Sequence, residues 1–160
     1  MTRSTAYIAM GSNLGDRKGT LLAALRMLGE RPDVVLLRRS GFFETAPVGP
    51  PGQGNYLNAA IEIETTLAPL ELLAAIQDIE ARLGRDRARE VRWGVRTCDL
   101  DILLIDELVL DTPELTVPHP RMHERTFMLE PLAQIAPNLM HPVLKKTVAQ
   151  LLNELTKNAS

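Results

Sequence analysis

Cysteine, aromatic residues and long apolar runs are all scarce in this chain of 160 residues. Its single cysteine, Cys98, excludes an internal disulfide framework, so we expect a reducing, cytoplasmic location. Every apolar run falls far short of the roughly 20 residues that a membrane span needs, and no charged-then-apolar leader opens the chain. The net charge of −2 gives no general attraction to nucleic acid or anionic lipid. One globular domain, residues 1–160, is therefore predicted.

Apolar periodicity and turn residues predict the order β-α-β-β-α-β followed by a C-terminal extension. The strands are expected at Ala6–Met10, at Val34–Leu37 together with Gly41–Thr45 and a bulge at Ser40–Gly41, at Tyr56–Thr65 and at Cys98–Ile105. The helices are expected at Asp16–Leu28, between a cap at Thr66 and Gly84, and, as a closing helix, at Val148–Leu155. Residues 113–142 hold six of the eleven prolines and should be irregular with short helical turns. This order predicts an α+β domain with a ferredoxin-like antiparallel sheet and two helices on one face.

Arginine is concentrated in one short segment. Fourteen of the 18 basic residues are Arg, and six of them fall within fifteen residues against only two acidic residues: Arg82, Arg85, Arg87, Arg89, Arg92 and Arg96. The planar guanidinium suits phosphate oxygens, so the segment is a candidate anion site. A solvated charged loop is the alternative.

Asp99 and Asp101 lie two residues apart in the last predicted strand, so both carboxylates face the same side while Cys98 and Leu100 point inward. Carboxylate oxygens are the ligands that Mg²⁺ prefers, and Mg²⁺ often bridges to substrate phosphates. Two solvated aspartates on an exposed sheet face are the alternative. The arginine segment ends three residues earlier, and cations beside metal-binding carboxylates are what phosphoryl transfer requires. No P-loop is present.

Two other groups allow more than one interpretation. His119 and His123 have an i, i+4 spacing that suggests zinc, but Pro120 places His119 outside the helical turn. Phosphate contacts by His119, Arg121 and Arg125 are a second option, and the start of a surface helix without a ligand is the third. The apolar stripe of the second helix leaves Gln77 and Glu80 on or beside its polar flank.

Several strings along the chain resemble one enzyme family. They are Gly11-Ser12-Asn13-Leu14-Gly15, Thr45-Ala46-Pro47-Val48-Gly49, Tyr56-Leu57-Asn58, Arg92-Trp93-Gly94, Arg96-Thr97-Cys98-Asp99-Leu100-Asp101, and His119-Pro120-Arg121-Met122 with Arg125 and Phe127. In this order and from about residue 7 to the mid-130s, the chain resembles the 6-hydroxymethyl-7,8-dihydropterin pyrophosphokinases of folate biosynthesis.

The resemblance implies transfer of pyrophosphate from ATP to the hydroxymethyl group of the reduced pterin, with release of AMP. It implies two Mg²⁺ ions on Asp99 and Asp101, and migrating phosphates neutralised by Arg85 and Arg96. It further implies ATP contacts from Gln77, Glu80, Arg92, His119 and Arg125, and a pterin pocket formed by Thr45, Val48, Tyr56, Asn58, Trp93 and Phe127. ATP and the pterin would be its partners, without nucleic acid or membrane, and we expect a monomer.

Three residues depart from the family pattern. Val95 and Ala46 stand where proline is usual, and Cys98 stands where Ile or Leu is usual. Loss of proline should loosen the loops 46–55 and 85–95, which we expect to close over bound substrates. Two other functions remain as alternatives. A palm-type nucleotidyltransferase would also carry a D-x-D metal pair on such a sheet, and an RNA-binding module would use the arginine segment. The former would release pyrophosphate, and the latter would bind RNA without ATP turnover.

Overall fold

The structure is a computed structural model that describes residues 2–13, 15–46, 55–84 and 98–158. Its strands are β1 (Ser4–Ser12), β2 (Val34–Arg39), β3 (Phe43–Thr45), β4 (Tyr56–Thr65), β5 (Asp99–Ile105), β6 (Leu110–Asp111) and β7 (Thr116–Val117). Its α-helices are α1 (Arg17–Gly29), α2 (Pro69–Arg82), α3 (Thr126–Ile135) and α4 (Val148–Asn158), with a 3₁₀ turn at Met122–Glu124. No helix in these ranges is long and apolar enough to cross a membrane.

The main sheet is antiparallel, with β1 near its centre and the order β2-β4-β1-β5, while β3 also pairs with β4. Side chains alternate along β1, so Ala6, Ile8 and Met10 enter one apolar cluster while Tyr7 and Ala9 enter another. The sheet therefore has two buried faces, each with its own core.

Helices α1 and α2 cover the first face, as predicted. Asp16 caps α1 by accepting a hydrogen bond from the Gly19 N–H at 3.0 Å. The predicted cap of α2 at Thr66 is wrong, because the helix begins at Pro69 and Ala68 occupies the cap position. The Glu71 carboxylate instead accepts from the Ala68 N–H at 2.8 Å. Gly84, with a φ of +89°, follows the end of this helix as expected.

Helices α3 and α4 belong to the core on the opposite face. Of these two, only the closing helix α4 was predicted, as an extension with no face assigned. Residues 113–142 are predicted to be irregular with short helical turns, yet they contain the ten residues of α3 and the short strand β7. Met128, Leu129 and Leu132 follow a helical spacing and are fully buried against the sheet, with Pro131 inside the helix. Their apolar burial outweighs the hydrogen bond that the proline removes.

A buried polar group lies on this second face, next to Tyr7 of its core. The carboxylate of Glu62, only 7% exposed, accepts the Tyr7 hydroxyl at 2.5 Å and a two-point contact from Arg38 at 2.7 and 3.2 Å. Because of these bonds, the pKa of the Glu62 carboxyl is held below its ordinary value. Alternation along β4 predicted Glu62 on the strand's non-aliphatic face, and the structure shows that part of this face is covered.

The predicted second strand is two strands. Ser40 separates β2 from β3: its N–H donates to the Ala60 carbonyl at 2.9 Å, and its hydroxyl accepts from the Ala60 N–H at 2.8 Å. The predicted bulge at Ser40–Gly41 is therefore a break between two strands, and the register shift against β4 lies earlier, between Leu36 and Arg38. The break brings Thr45 alongside Tyr56 at the start of β4.

Candidate active site

A cavity of about 700 Å³ opens at the end of the second face that α3 and α4 leave uncovered. Its walls are formed by strands β1, β3, β4 and β5, by the start of α3 and by the 3₁₀ turn. The lining residues are Ala9, Met10, Gly11, Thr45, Ala46, Tyr56, Asn58, Asp99, Asp101, Arg121, Glu124, Arg125, Thr126, Phe127 and Met128. Seven of the residues predicted for the site therefore meet in one place.

The floor of the cavity is the small-residue end of β1. Gly11 lies opposite Asn58 on one side and opposite Asp99 on the other, while Ala9 lies opposite Asp101. A Cβ atom at position 11 would come within 3.1 Å of Asn58 Oδ1, so glycine keeps the floor low there. Since neighbouring strands are about 4.8 Å apart, the backbones of Asn58 and Asp99 are separated by roughly 10 Å.

Asp99 and Asp101 both line the cavity, and both are partly exposed. Leu100 and Ile102 point from the same strand into the first core, and Cys98 is completely buried there. The predicted alternation of β5 is confirmed over this segment. Asp99 and Asp101 thus present two hard oxygen donors to the same space.

The opposite wall carries the polar and aromatic residues expected to bind a flat ring. Asn58 is 4% exposed, and its amide N–H donates to the Thr45 hydroxyl at 2.7 Å. That bond fixes the amide so that its oxygen lies toward Gly11. Tyr56 and Phe127 also line the cavity, and the Arg125 guanidinium lies 5.7 Å from the Phe127 ring centre.

His119 is partly buried beside the carboxylate side of the cavity. Burial, and then the positive charge of Arg125, lower the pKa of His119 to about 4, while the negative charge of Asp99 acts in the opposite direction. The ring is therefore neutral at pH 7. Its Nδ1 accepts the Arg121 N–H at 3.1 Å, which places the remaining proton on Nε2. His119 is thus a hydrogen-bond donor at Nε2.

The two predicted ATP contacts on α2 differ in their surroundings. Gln77 is exposed, as the helical pattern indicated. Glu80 is only 3% exposed, which corrects its predicted position on or beside the polar flank. Its Oε2 accepts the Leu100 N–H at 2.8 Å, so the side chain is drawn toward β5. Helix α2 packs so closely against β5 that Glu80, at the edge of the helix's apolar stripe, is buried.

The remaining predicted site residues lie outside the described ranges: Val48, Arg85, Arg92, Trp93 and Arg96. The lining residues that the sequence did not indicate are Ala9, Met10, Glu124, Thr126 and Met128. The small side chain at position 9 carries no chemical signal by itself. Glu124 and Thr126 flank Arg125, so their proximity to an expected ligand-binding residue was the available clue.

Within the part of the chain that the structure describes, no group of three or more His, Cys, Asp or Glu side chains is arranged to hold a metal ion. His119 and His123 therefore have no third protein ligand of these types within that part. Any cation at Asp99 and Asp101 would share its coordination with oxygens from a ligand or from water.

Residues 7–137 match the family described as 7,8-dihydro-6-hydroxymethylpterin-pyrophosphokinase (HPPK), which is well over half of the chain. The chain belongs to the HPPK family. It is 52% identical over 130 residues to the 2-amino-4-hydroxy-6-hydroxymethyldihydropteridine pyrophosphokinase of Bacillus subtilis, an alignment that covers 81% of this chain and 77% of that one. It is 44% identical over 153 residues to the enzyme of the same name from Haemophilus influenzae, covering 96% and 91%.

Solved structures support the HPPK fold independently of sequence. The HPPK-DHPS of Plasmodium falciparum with pteroate superposes with a TM-score of 0.77 at 16% identity, covering 98% of this chain. This chain spans 43% of that longer protein. At such low identity the likeness concerns the fold alone: a mixed α/β domain with an antiparallel sheet and flanking helices.

Proposed function

We propose that the cavity is the active site in which this chain performs the HPPK reaction, transfer of pyrophosphate to hydroxymethyldihydropterin in folate biosynthesis. One observation carries the assignment. Asn58 and Asp99 lie opposite the same residue, Gly11, on the two strands that flank β1. The amide that we propose binds the ring and the carboxylate that we propose binds the metal thus lie on one row of the sheet, with Gly11 between them.

The pterin would occupy the wall formed by β3, β4 and the start of α3. Asn58, fixed by Thr45, offers its amide oxygen to donors on the ring edge. Phe127 and Tyr56 supply aromatic surface for a flat heterocycle. We include Val48 and Trp93 in the proposed pterin pocket because the family resemblance of the sequence implies them. In this position the ring's hydroxymethyl group would extend along the floor toward Asp99.

ATP would occupy the carboxylate side, with its phosphates at Asp99 and Asp101. The hard oxygen donors of these side chains fit Mg²⁺, and we infer that two ions bind there. When bound, Mg²⁺ would neutralise phosphate charge and align the reacting groups. We propose that His119 Nε2–H and Arg125 donate to phosphate oxygens, and that Gln77 and Arg92 are further nucleotide contacts.

In the reaction, the hydroxymethyl oxygen attacks the β-phosphorus of ATP and loses its proton. A new O–P bond forms as the bond between the β-phosphorus and the oxygen bridging to the α-phosphate breaks, and that oxygen leaves with AMP. The chain's task is to position the two substrates and to stabilise charge that develops on the phosphates. Arg85 and Arg96 are the residues that we propose act on this charge.

Finer aspects of the assignment rest on the same observations. The strand order β2-β4-β1-β5 supports a ferredoxin-like arrangement, extended by α3 and α4. The single buried cysteine and the net charge of −2 support a cytoplasmic enzyme that acts on small molecules without nucleic acid or membrane partners. We further propose, as an expectation from the sequence, that the chain works as a monomer.

The decisive experiment is incubation of the protein with ATP, Mg²⁺ and 6-hydroxymethyl-7,8-dihydropterin, followed by chromatography of the nucleotides. We expect pterin-dependent formation of AMP. Release of pyrophosphate instead would indicate the palm-type nucleotidyltransferase chemistry that a D-x-D pair on such a sheet also permits. RNA binding with no nucleotide turnover would contradict both.

A further inference from the structure

Glu80 is a charged residue in an interior position. It lies near the end of α2 and is 3% exposed, in a helix whose other acidic residues, Glu71 and Asp78, are exposed. A buried carboxylate is costly unless hydrogen bonds satisfy it. Here Oε2 accepts the backbone N–H of Leu100 at 2.8 Å.

The bond is made at the outer edge of the sheet. Strand β5 pairs only with β1 among the described strands. In an antiparallel pair, backbone N–H groups point alternately toward and away from the neighbouring strand. Because the Leu100 N–H donates to Glu80, it points away from β1, and the carboxylate takes the place of the missing neighbouring strand.

Leu100 is the residue between Asp99 and Asp101. Its N–H points outward, so the backbone groups of the two aspartates pair with β1 opposite Gly11 and Ala9. The backbone between the two carboxylates is thus held from both sides, by β1 and by α2. Loss of the outer contact would remove one of these two backbone restraints, at the start of β5.

We propose that Glu80 is a positioning residue, which fixes the spacing and direction of the Asp99 and Asp101 carboxylates through its hydrogen bond to Leu100. This inference rests on the proposed metal site. It replaces the direct ATP contact that the family resemblance implies for Glu80 with an action through the backbone. Residues that orient metal ligands in this way commonly affect metal affinity or activity when replaced.

The test compares four variants with the wild type: Glu80→Ala, Glu80→Asp, Glu80→Gln and Asp78→Asn. Glu80→Ala removes the acceptor, and Glu80→Asp retains the charge but withdraws it by one methylene. Glu80→Gln retains an acceptor of the same reach. Asp78→Asn is the matched control, because Asp78 is exposed on the same helix and pairs with Arg82 at 2.9 Å.

Two measurements are needed. Binding of Mn²⁺ in the presence of an unreactive ATP analogue is followed by electron paramagnetic resonance, without turnover. Steady-state kinetics gives kcat and the KM for ATP. We expect Glu80→Ala and Glu80→Asp to lose about 10- to 100-fold in Mn²⁺ affinity and kcat while the KM for ATP changes little. Glu80→Gln and Asp78→Asn should stay close to the wild type.

Wild-type behaviour of Glu80→Asp, or a defect confined to the KM for ATP, would overturn the positioning role. So would a Glu80→Gln variant as defective as Glu80→Asp. Should Glu80→Ala fail to fold, the Asp and Gln pair still decides the question. A wild-type protein that forms no AMP would overturn the proposed function, and that outcome is separate from the Mn²⁺ result.

Discussion

Gly11 and Asn58 face each other across β1 and β4, and a Cβ atom at position 11 would lie 3.1 Å from Asn58 Oδ1. That distance is shorter than ordinary van der Waals contact, so any side chain at position 11 must displace the amide. Asn58 is held by Thr45 on its other side, which leaves little freedom to yield.

For this reason we expect Gly11→Ala to weaken pterin binding by roughly tenfold, equivalent to about 1.4 kcal/mol. Turnover of ATP at saturating pterin should change much less. Isothermal titration of the pterin into the enzyme with an unreactive ATP analogue measures the effect. Gly41→Ala is the control, since the nearest atom to its Cβ is Gln134 Oε1 at an ordinary 3.5 Å. Equal pterin affinity in the two variants would contradict the tight floor.

Replacing either cavity carboxylate should abolish most activity without unfolding the protein. Asp99→Asn and Asp101→Asn each remove a charged oxygen donor that points away from the core. We expect kcat to fall by roughly 100-fold or more, because metal ions contribute several kcal/mol to charge stabilisation. Thermal melting should remain close to that of the wild type. Glu107→Gln, at an exposed position beyond the end of β5, should retain full activity. Near wild-type activity of Asp99→Asn or Asp101→Asn would contradict the metal site.

Tyr7→Phe should change the stability of the protein at high pH. Burial and the bond to Glu62 raise the pKa of the Tyr7 hydroxyl to about 12. The stabilisation is therefore complete below the unfolded value of about 10 and is lost as the pH rises toward 12. At pH 8 we expect Tyr7→Phe to cost about 1–3 kcal/mol of unfolding free energy.

Urea unfolding of the wild type and Tyr7→Phe at pH 8 and again near pH 11 tests this. The difference between the two proteins should shrink at the higher pH, because only the wild type must retain a proton on residue 7. Other titrating groups are common to both proteins and cancel in the comparison. A difference that is constant with pH would show that Tyr7 ionises alike in the folded and unfolded chains.

His141 should make the protein less stable in mild acid. Burial, with a smaller contribution from nearby His123, lowers the pKa of His141 below its ordinary value of 6.5. The unfolded chain therefore takes up this proton first, and stability falls as the pH drops below about 6.5. The ring's Nδ1 accepts the N–H groups of Val143 and Leu144 at 3.2 and 3.0 Å.

His141→Asn retains an acceptor in nearly the same place but does not titrate. Relative to this variant, we expect the wild type to lose unfolding free energy between about pH 7 and pH 5. Urea unfolding across that range gives the two profiles. Parallel profiles would exclude His141 as the titrating group. His141→Ala, which also removes the acceptor, should be destabilised at every pH.

The elements that sequence analysis predicted well are those with a regular apolar period. The alternation of β4 and the spacing of Leu72, Ile76 and Ile79 in α2 were read directly, and the structure confirms them. The D-x-D segment was also predicted well, because two like charges on one face of a strand repel each other and need a compensating cation. The motif order also identified the residues that meet in the cavity.

What the sequence could not indicate depends on packing between distant segments. Helix α3 was not predicted because its region is rich in proline. The helix is stabilised by packing its apolar residues against the sheet, mainly β4, which lies more than sixty residues earlier in the chain. The helical pattern predicts Glu80 on or beside the polar flank of α2, because nothing in the local sequence shows that the Leu100 N–H of β5 will donate a hydrogen bond to it. The role of the small residues Ala9 and Gly11 as the floor of the cavity depends on the residues opposite them on β4 and β5, which the sequence of β1 does not show.

The central position of β1 has a consequence for substrate choice. Between Ile8 and Ser12 its pairing with β4, and as far as Gly11 its pairing with β5, runs without a register shift. The separation of Asn58 from Asp99 is therefore set by two interstrand spacings, which side-chain or loop movement cannot lengthen. In the binding mode proposed above, with the ring at Asn58 and the phosphates at Asp99, we expect an alcohol whose carbon link to the ring is one methylene longer to be a poorer substrate. Selectivity for the length of that link would then depend on the hydrogen bonding of the backbone.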